Sequence, residues 1–205
     1  MTKVGLYAIS KSTTLESNKS LDVNLVTMFI THPHSTISTV ADLKGKRFAF
    51  GARGSVEAGL LAHHFLQQMG IYPGQDLALA TFCEERQPPN ADSQRDVVAR
   101  IVSGEYDAGA VSSTALARMY EAGIVTPESV RVFWTSPGYS HCCFTAHSDT
   151  DRELSRQITQ VFVSMHYDDP LGKIALEAEG CKAFVPGGTA GWEVLEAVAE
   201  EEGLL

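Results

Sequence analysis

The sequence predicts an α/β protein with two lobes, one inserted into the other. Three observations support this prediction. Strands and helices alternate between residues 47 and 135, most of the helices in that stretch are followed by a glycine, and a strand-like segment lies on each side of it. With 205 residues, of which 44% are apolar and 20% charged, the chain can bury a core without a metal or a disulfide.

The alternating region predicts a largely parallel sheet, because parallel strands are joined through helices. The strand Ala108–Val111 consists of small residues, which suits a buried position in such a sheet. In order, the predicted elements are the strand Arg47–Gly51, the helix Ser55–Met69, the strand Ala78–Cys83, a helix capped by Asp92 or Ser93, the strand Ala108–Val111, the helix Ala115–Ala122 and the strand Val130–Thr135.

The two flanking segments, Val23–Thr31 and His141–Ala146, are predicted to be neighbouring strands of a separate sheet, followed by a helical tail. Hinges are expected near residues 42–44 and 136–139. The predicted domains are therefore residues 1–44 with 136–205, forming a partial first lobe with C-terminal helices, and residues 45–135, forming the inserted second lobe. Few residues precede the first strand, so the first lobe is expected to be incomplete.

Charge and hydropathy exclude several classes of protein. Sixteen Lys and Arg against 25 Asp and Glu give a formal charge of −9, which argues against binding to nucleic acid or to an anionic membrane. No apolar run is long enough to span a bilayer. The apolar stretch Val4–Ile9 is too short for a signal peptide, so a cytoplasmic location is expected if the start is genuine.

The segment Phe50–Gly59 is the strongest candidate for a binding site. A strand ends there, two glycines follow, and a helix begins at Ser55. The first amides of a helix and its dipole attract anions, and ligands of open α/β sheets bind beyond the carboxyl ends of the strands. The alternative is that Ser55 only caps the helix. The pattern is not that of a P-loop.

Two further segments are candidate sites. Ser112 and Ser113 follow the strand Ala108–Val111 and are predicted to lie at the same sheet edge as Ser55, although they too could serve as helix caps. Tyr139 and His141 lie at the predicted second hinge, where a tyrosine is equally compatible with simple packing.

No catalytic or metal site is predicted, and no cofactor. His63 and His64 are adjacent in a helix, so their side chains diverge. The four cysteines form no CxxC pair, and Cys142 and Cys143 point to opposite faces of a strand. The cysteines are therefore expected to be buried structural thiols, and the protein is expected not to be an enzyme.

Several segments resemble one known family. They are Ala41–Gly51 (ADLKGKRFAFG), Gly104–Val111 (GEYDAGAV), Val130–Pro137 (VRVFWTSP), Asp168–Pro170 and Phe184–Gly187. In this order they resemble the phosphate/phosphite/phosphonate-type (PhnD-like) substrate-binding proteins of ABC transporters, from about Val23 to Leu195. The resemblance implies a type 2 periplasmic-binding-protein fold, with a ligand in the cleft between two lobes that close about a hinge.

The resemblance also implies a function and a set of site residues. A small anion would bind without catalysis, a membrane permease would be the partner, and the location would be periplasmic, with no nucleic acid bound and no insertion into the membrane. Carried over by position, the resemblance implies that Ser55 and the amides around Val56 and Glu57 hold an oxyanion and that Ser112 lines the cleft. Together with the candidates drawn from the residue pattern, the residues expected to bind the ligand are Arg53, Gly54, Ser55, Val56, Glu57, Ser112, Ser113, Tyr139 and His141.

This chain departs from the family pattern in two ways. Ser55-Val56-Glu57-Ala58 stands where the family usually has Ser-Thr-Ser-Gly, so two hydroxyls are replaced and a carboxylate is added. The family's leader and the first part of its first lobe are expected to be missing from this chain, as in a fragment or an N-terminally truncated member. Two alternative functions use the same fold, namely an enzyme of the thiamine-precursor type and a ligand-sensing effector domain of a LysR-type regulator, although the sequence contains no DNA-binding module.

Overall fold

The structure is a computed structural model that describes residues 9–12, 25–88, 90–140, 143–144, 146–147, 149–179, 181–186 and 189–203. The contacts within the chain define two compact units. Unit 1 comprises Met1–Asn24 and Gly138–Val194, and unit 2 comprises Leu25–Pro137 and Leu195–Leu205.

Strands and helices alternate along most of the chain. The strands are β1 (Ile9–Ser12), β2 (Thr27–Thr31), β3 (Arg47–Ala49), β4 (Leu79–Thr81), β5 (Ala108–Ser112), β6 (Arg131–Thr135), β7 (Cys143–Phe144) and β8 (Ala183–Pro186). The helices are α1 (Leu61–Gln68), α2 (Pro73–Asp76), α3 (Ser93–Val102), α4 (Ser113–Glu121), α5 (Arg152–Val163), α6 (Pro170–Ala178) and α7 (Glu193–Glu201). Short 3₁₀ turns span Val40–Leu43 and Cys83–Glu85, and a wide π-type turn, Val56–Leu60, runs directly into α1.

Unit 2 is built on a five-stranded sheet in the order β4-β3-β5-β2-β6. β3 is parallel to β4 and to β5, whereas β2 is antiparallel to both β5 and β6. Four strands therefore run in one direction and β2 alone runs in the other. The α/β fold class and the mostly parallel direction of the strands are as predicted.

The predicted pairing of the two flanking segments is wrong. The strand within Val23–Thr31 is β2, which lies inside the five-stranded sheet, whereas β7, the described strand of His141–Ala146, belongs to a three-stranded sheet. The physical reason is visible in β2, where Phe29 and Ile30 have no exposed surface. An apolar run of this kind suits a central strand with neighbours on both sides. Residues 25–44 consequently lie in unit 2.

Unit 1 contains the three-stranded sheet β7-β1-β8, in which β1 is antiparallel to both neighbours. The prediction that the chain after residue 146 is entirely helical is wrong, because β8 lies between α6 and α7. A small core of Leu176, Cys181 and Phe184 forms where α6 leads into β8. α7 begins in unit 1 and continues into unit 2.

The core of unit 2 is aromatic near the middle of its sheet. Phe29 packs edge-on against Phe48, with ring centroids 5.3 Å apart, and stacks on Trp134 at 4.5 Å. Burying each such ring contributes about 1.5–3 kcal/mol to folding. Gly109 lets α3 approach β5 closely, since a Cβ at this position would lie 2.6 Å from Cγ1 of Val97.

Candidate functional site

The candidate site lies at the edge of the five-stranded sheet where the parallel strands end. β3 and β5 are parallel, so the segments that follow them leave the sheet at the same edge. Ser55 follows β3 and Ser112 ends β5, so the predicted placement of these two serines at one edge agrees with the structure. Because β2 runs in the opposite direction, its first residue, Thr27, also lies here, paired in register with Ser112.

Ser55 is the N-cap of the helix that continues into α1. Its Oγ accepts a hydrogen bond of 3.3 Å from the amide of Ala58, and its carbonyl oxygen accepts bonds from the amides of Gly59 and Leu60. The first amides of a helix have no acceptor within the helix, and the positive end of its dipole lies there. Ser55 as a residue is half-buried, so part of its surface is in contact with solvent.

Close packing fixes the shape of this helix start. The amide of Gly51 donates to the carbonyl of Ala58 at 2.8 Å, and a Cβ on Gly59 would lie 2.3 Å from the carbonyl oxygen of Ala52. Gly54 differs from these two glycines, because a Cβ there would meet no atom within 4 Å. Crowding within the protein therefore requires glycine at positions 51 and 59, whereas the protein itself leaves room for a side chain at Gly54.

Thr27 attaches the helix start to the sheet, and sequence reasoning did not identify it. Its Oγ1 donates to the carbonyl of Glu57 at 2.8 Å, and its own amide donates to Oγ of Ser136 at 2.9 Å. Thr27 has no exposed surface and Ser136 is buried. The first turn of the helix is therefore held in place by a buried hydrogen-bonded pair on β2 and the end of β6.

Ser112 and Ser113 begin α4 at the same edge. The Ser112 Oγ accepts from the amide of Ala115 at 3.1 Å, and the Ser112 amide donates to Oε1 of Gln94 at 2.6 Å. Ser112 is only 3% exposed, so its main role is that of a helix cap. Ser113 is half-exposed, and its amide donates to the carbonyl of Val26. Gln94 was also absent from the predicted site.

Arg53 is engaged by the loop that follows β4. Its amide donates to Oε1 of Glu84 at 3.0 Å, its guanidinium pairs with Glu85, and that guanidinium lies 4.2 Å from the centroid of the Phe82 ring. These contacts direct the cation toward the edge strand β4. The Arg53 guanidinium is therefore engaged within the protein, and the donors that face this edge from Ser55 onward are amides and hydroxyls.

Val56 and Glu57 form the first turn after Ser55. Val56 is 38% exposed and Glu57 is half-buried. A carboxylate in the first turn of a helix interacts favourably with the helix dipole. This interaction explains an acidic residue at position 57 without any role in ligand binding. An anion close to this carboxylate would experience like-charge repulsion.

Tyr139 belongs to unit 1 and is only 5% exposed. The adjacent Ser140 has no exposed surface, donates its amide to Ala190 and accepts a bond from Nε1 of Trp192 at 3.0 Å. The Ser140 hydroxyl has no hydrogen-bond partner among the described residues. Tyr139 therefore lies in a packed segment. The remaining predicted residue, His141, lies outside the described residues.

The other candidates for chemistry lie away from this edge. The described part of the chain contains no cluster of three His, Cys, Asp or Glu side chains that could hold a metal ion. Cys83 and Cys181 are buried, and burial raises the pKa of the Cys83 thiol, which makes it a poor nucleophile. None of the helices in the described part of the chain combines the length and apolar character needed to cross a membrane.

Comparison with protein families identifies the class of protein. Residues 15–192 match the family model described as the periplasmic substrate-binding protein of phosphonate ABC transporters. The chain therefore belongs to this family, whose members bind solutes and do not catalyse reactions. This agrees with the family resemblance found in the sequence.

One curated relative is the probable ABC transporter phosphite-binding protein PhnD1 of Prochlorococcus marinus strain MIT 9301. It is 20% identical over 192 residues, which cover 90% of this chain and 58% of the relative. The chain thus spans less than two thirds of the length of this relative.

Solved structures support the fold. One is the structure of PhnD1 from Prochlorococcus marinus in complex with methylphosphonate. The match covers 97% of this chain and 72% of the PhnD1 chain, with a TM-score of 0.68 and 18% sequence identity. A binding protein component of an ABC phosphonate transporter from Pseudomonas aeruginosa matches 96% of this chain and 61% of its own, with a TM-score of 0.65 and 12% identity. The type 2 periplasmic-binding-protein fold is confirmed.

Proposed function

We propose that this chain binds a small phosphonate-class oxyanion as the solute-binding component of an ABC uptake system. The observation that carries the proposal is the helix start at Ser55, held at the carboxyl edge of the sheet by Thr27 and half-open to solvent. Family membership supports the class of function. The ligand names of the relatives, phosphite and methylphosphonate, indicate which anions to test first.

The proposed ligand contacts are the Ser55 hydroxyl and the amides that follow it, in Val56 and Glu57. Ser113 and the hydroxyl of Ser112 are proposed to add donors from the start of α4, while Tyr139 and His141 are proposed to contribute from unit 1. Arg53 and Gly54 complete the proposed set, although the guanidinium of Arg53 is already paired with Glu85. The proposal includes a membrane permease as partner and a periplasmic location.

Calorimetric titration with methylphosphonate, phosphite and phosphate tests the proposal, with Ser55→Ala as the variant. A hydrogen bond to a charged ligand contributes about 1.5–3 kcal/mol, so Ser55→Ala is expected to weaken binding by about tenfold to a hundredfold. If one of these anions binds and Ser55→Ala leaves its affinity unchanged, the helix-start site is wrong.

Ser35→Ala is the matched control. Like Ser55, Ser35 is half-exposed and its Oγ accepts a hydrogen bond from a backbone amide, that of Ile37. It follows the carboxyl end of β2, which lies at the opposite edge of the sheet. Ser35→Ala is expected to leave the affinity unchanged, so an equal loss in both variants would indicate general destabilisation.

Glu57 bears on whether the ligand carries an amine in addition to its acidic group. Its carboxylate favours a ligand that carries a cationic amine beside the acid, or it points away from the ligand. Titration with methylphosphonate and 2-aminoethylphosphonate distinguishes these two cases. If the amine is recognised, Glu57→Gln should weaken aminophosphonate binding and strengthen methylphosphonate binding, whereas equal effects on both ligands would contradict a role in recognising the amine.

A further inference from the structure

A recess in unit 2 lies between the turn that leads into α1 and the residue that follows β4. Its volume is about 280 Å³, and an adjoining recess of about 340 Å³ shares Arg53, His63 and Phe82 with it. Together the two recesses reach the size of small-molecule sites, about 300–1,000 Å³. The residues that line the first recess are Arg53, Gly59, Leu60, His63, Phe82 and Glu202.

One wall of the recess is aromatic and anchored in the core. Phe82 stacks on Phe50 with ring centroids 4.8 Å apart, and the His63 ring lies 6.4 Å from the Phe82 ring. Phe50 has no exposed surface, so it fixes Phe82 from the side of the sheet. The guanidinium of Arg53 lies 4.2 Å from the centroid of the Phe82 ring and is paired with Glu85. This wall therefore offers apolar surface, and its cation is already balanced.

Two polar side chains of the recess lack partners within the part of the chain that the structure describes. Neither ring nitrogen of His63 makes a hydrogen bond there, and the Glu202 carboxylate makes neither a hydrogen bond nor an ion pair. Burial lowers the pKa of His63, and the nearby carboxylate of Glu202 offsets this in part. The imidazole is therefore predominantly neutral at pH 7, and one of its nitrogens is a hydrogen-bond acceptor.

We propose that this recess is a second binding site, which takes a small primary amine with a flat apolar body. The ammonium group binds the carboxylate of Glu202 and the acceptor nitrogen of His63. The apolar body packs against Leu60 and Phe82. The backbone amide of Glu202 donates to the carbonyl of Val198 at 3.0 Å, which holds this residue at the end of α7 beside the recess.

The charges around the recess favour a cation over an anion. Arg53 is balanced by Glu85, so the carboxylate of Glu202 is the charge that remains without a counterion in the recess. The net charge of −9 over the whole chain acts in the same direction. The second site does not rest on the proposed function, since Arg53 is the one residue that it shares with the proposed anion site.

An NMR titration with benzylamine tests the site. Benzyl alcohol and benzoate are the comparison compounds, because they carry the same ring with a neutral or an anionic group. Benzylamine is expected to shift the amide signals of Leu60, His63, Phe82 and Glu202 and to bind about tenfold more tightly than either comparison compound. Equal affinities for the three compounds, or shifts confined to other parts of the chain, would overturn the proposal.

Glu202→Gln removes the charge while keeping the shape of the side chain. Glu200→Gln is the matched control, because Glu200 is an exposed glutamate of α7 that does not line either recess. Glu202→Gln is expected to weaken benzylamine binding by about threefold to tenfold, and Glu200→Gln to leave it unchanged. An equal loss in both variants would show that the overall charge of the protein attracts the amine, and this result would overturn the site.

His63→Phe tests the second polar contact, since it keeps a ring and removes the acceptor nitrogen. It is expected to weaken benzylamine binding while leaving the weaker binding of benzyl alcohol unchanged or slightly improved. Thermal unfolding without ligand checks that each variant is folded. If Glu202→Gln and His63→Phe are folded and both bind benzylamine as the unaltered protein does, the assignment of the recess is wrong.

Discussion

At the scale of single residues, the Arg47–Asp107 pair joins β3 to the start of β5, at the end of the sheet away from the candidate site. Asp107 accepts bonds from the Arg47 amide at 2.8 Å and from its guanidinium at 3.0 and 2.8 Å. These bonds hold the pKa of Asp107 below its ordinary value. A carboxyl whose pKa is lowered by folding stabilises the protein above its unfolded pKa of about 3.9, and this stabilisation is lost as the pH falls through the folded value.

Asp107→Asn is therefore expected to lower the free energy of unfolding at pH 7 by about 1–3 kcal/mol. The deficit should shrink as the pH is lowered below about 4, because the wild-type carboxyl then becomes neutral as well. Urea unfolding at pH 7 and pH 3 measures both values. A deficit that is the same at both pH values would show that the charge of Asp107 does not matter.

The second pH-dependent prediction concerns His63, which is a base, whereas Asp107 is an acid. Burial lowers the pKa of its imidazole, and the ring lies among aromatic side chains, 5.9 Å from Phe50 and 6.4 Å from Phe82. The unfolded chain therefore binds the proton more tightly, so acidification through the unfolded pKa of about 6.5 destabilises the fold. His63→Phe should reduce the loss of stability between pH 7.5 and 5.5, measured by thermal unfolding. An unchanged pH profile would contradict this.

At the scale of elements, the turn into α1 depends on Gly59. Because its Cβ position lies 2.3 Å from the Ala52 carbonyl oxygen, Gly59→Ala forces the backbone apart and should cost about 1–3 kcal/mol. Gly74→Ala, in α2, is the control, since a Cβ there meets nothing within 4 Å, and it is expected to be neutral or slightly stabilising. Chemical unfolding compares the two. If Gly59→Ala is as stable as Gly74→Ala, the close contact in the turn is not rigid.

The local elements of unit 2 could be predicted from the sequence because their signals are local. Ser55, Asp92 and Ser112 each accept a hydrogen bond from a first-turn amide in the structure, as capping residues do. β8 was missed because Ala183–Pro186 is short and lies between two helices. The placement of β2 could not be predicted, since its partners β5 and β6 lie far along the chain and no local pattern specifies them.

The candidate site could likewise be predicted only where its signals are local in the sequence. Ser55 and Ser112 end up at one edge because parallel strands with following helices require it. Thr27 and Ser136 were missed because their roles arise from pairings across the sheet, and Gln94 was missed because it reaches the Ser112 amide from α3. Thr27 looks in sequence like any polar residue at the start of a strand, and only its contact with the Glu57 carbonyl shows what it holds.

At the scale of the whole molecule, the two units should differ in resistance to local opening. β5 has strand neighbours on both sides and all of its residues are buried, whereas the three-stranded sheet of unit 1 has short strands and a small core. Hydrogen exchange should therefore be slowest in β5 and faster in β8. Slower exchange in β8 than in β5 would show that unit 1 is the more stable unit.

The position of β2 also bears on how this protein is made. A hydrogen bond between Thr27 and Ser136 joins residues 109 apart in sequence, and one between Thr31 and Asp107 joins residues 76 apart. During synthesis on the ribosome, β2 emerges long before its partner strands β5 and β6. Until those strands emerge, the apolar side chains of β2 cannot be buried in the sheet. The sheet can be completed only after β6 leaves the exit tunnel, so the nascent chain passes through a prolonged stage in which Phe29 and Ile30 are exposed and available to chaperones.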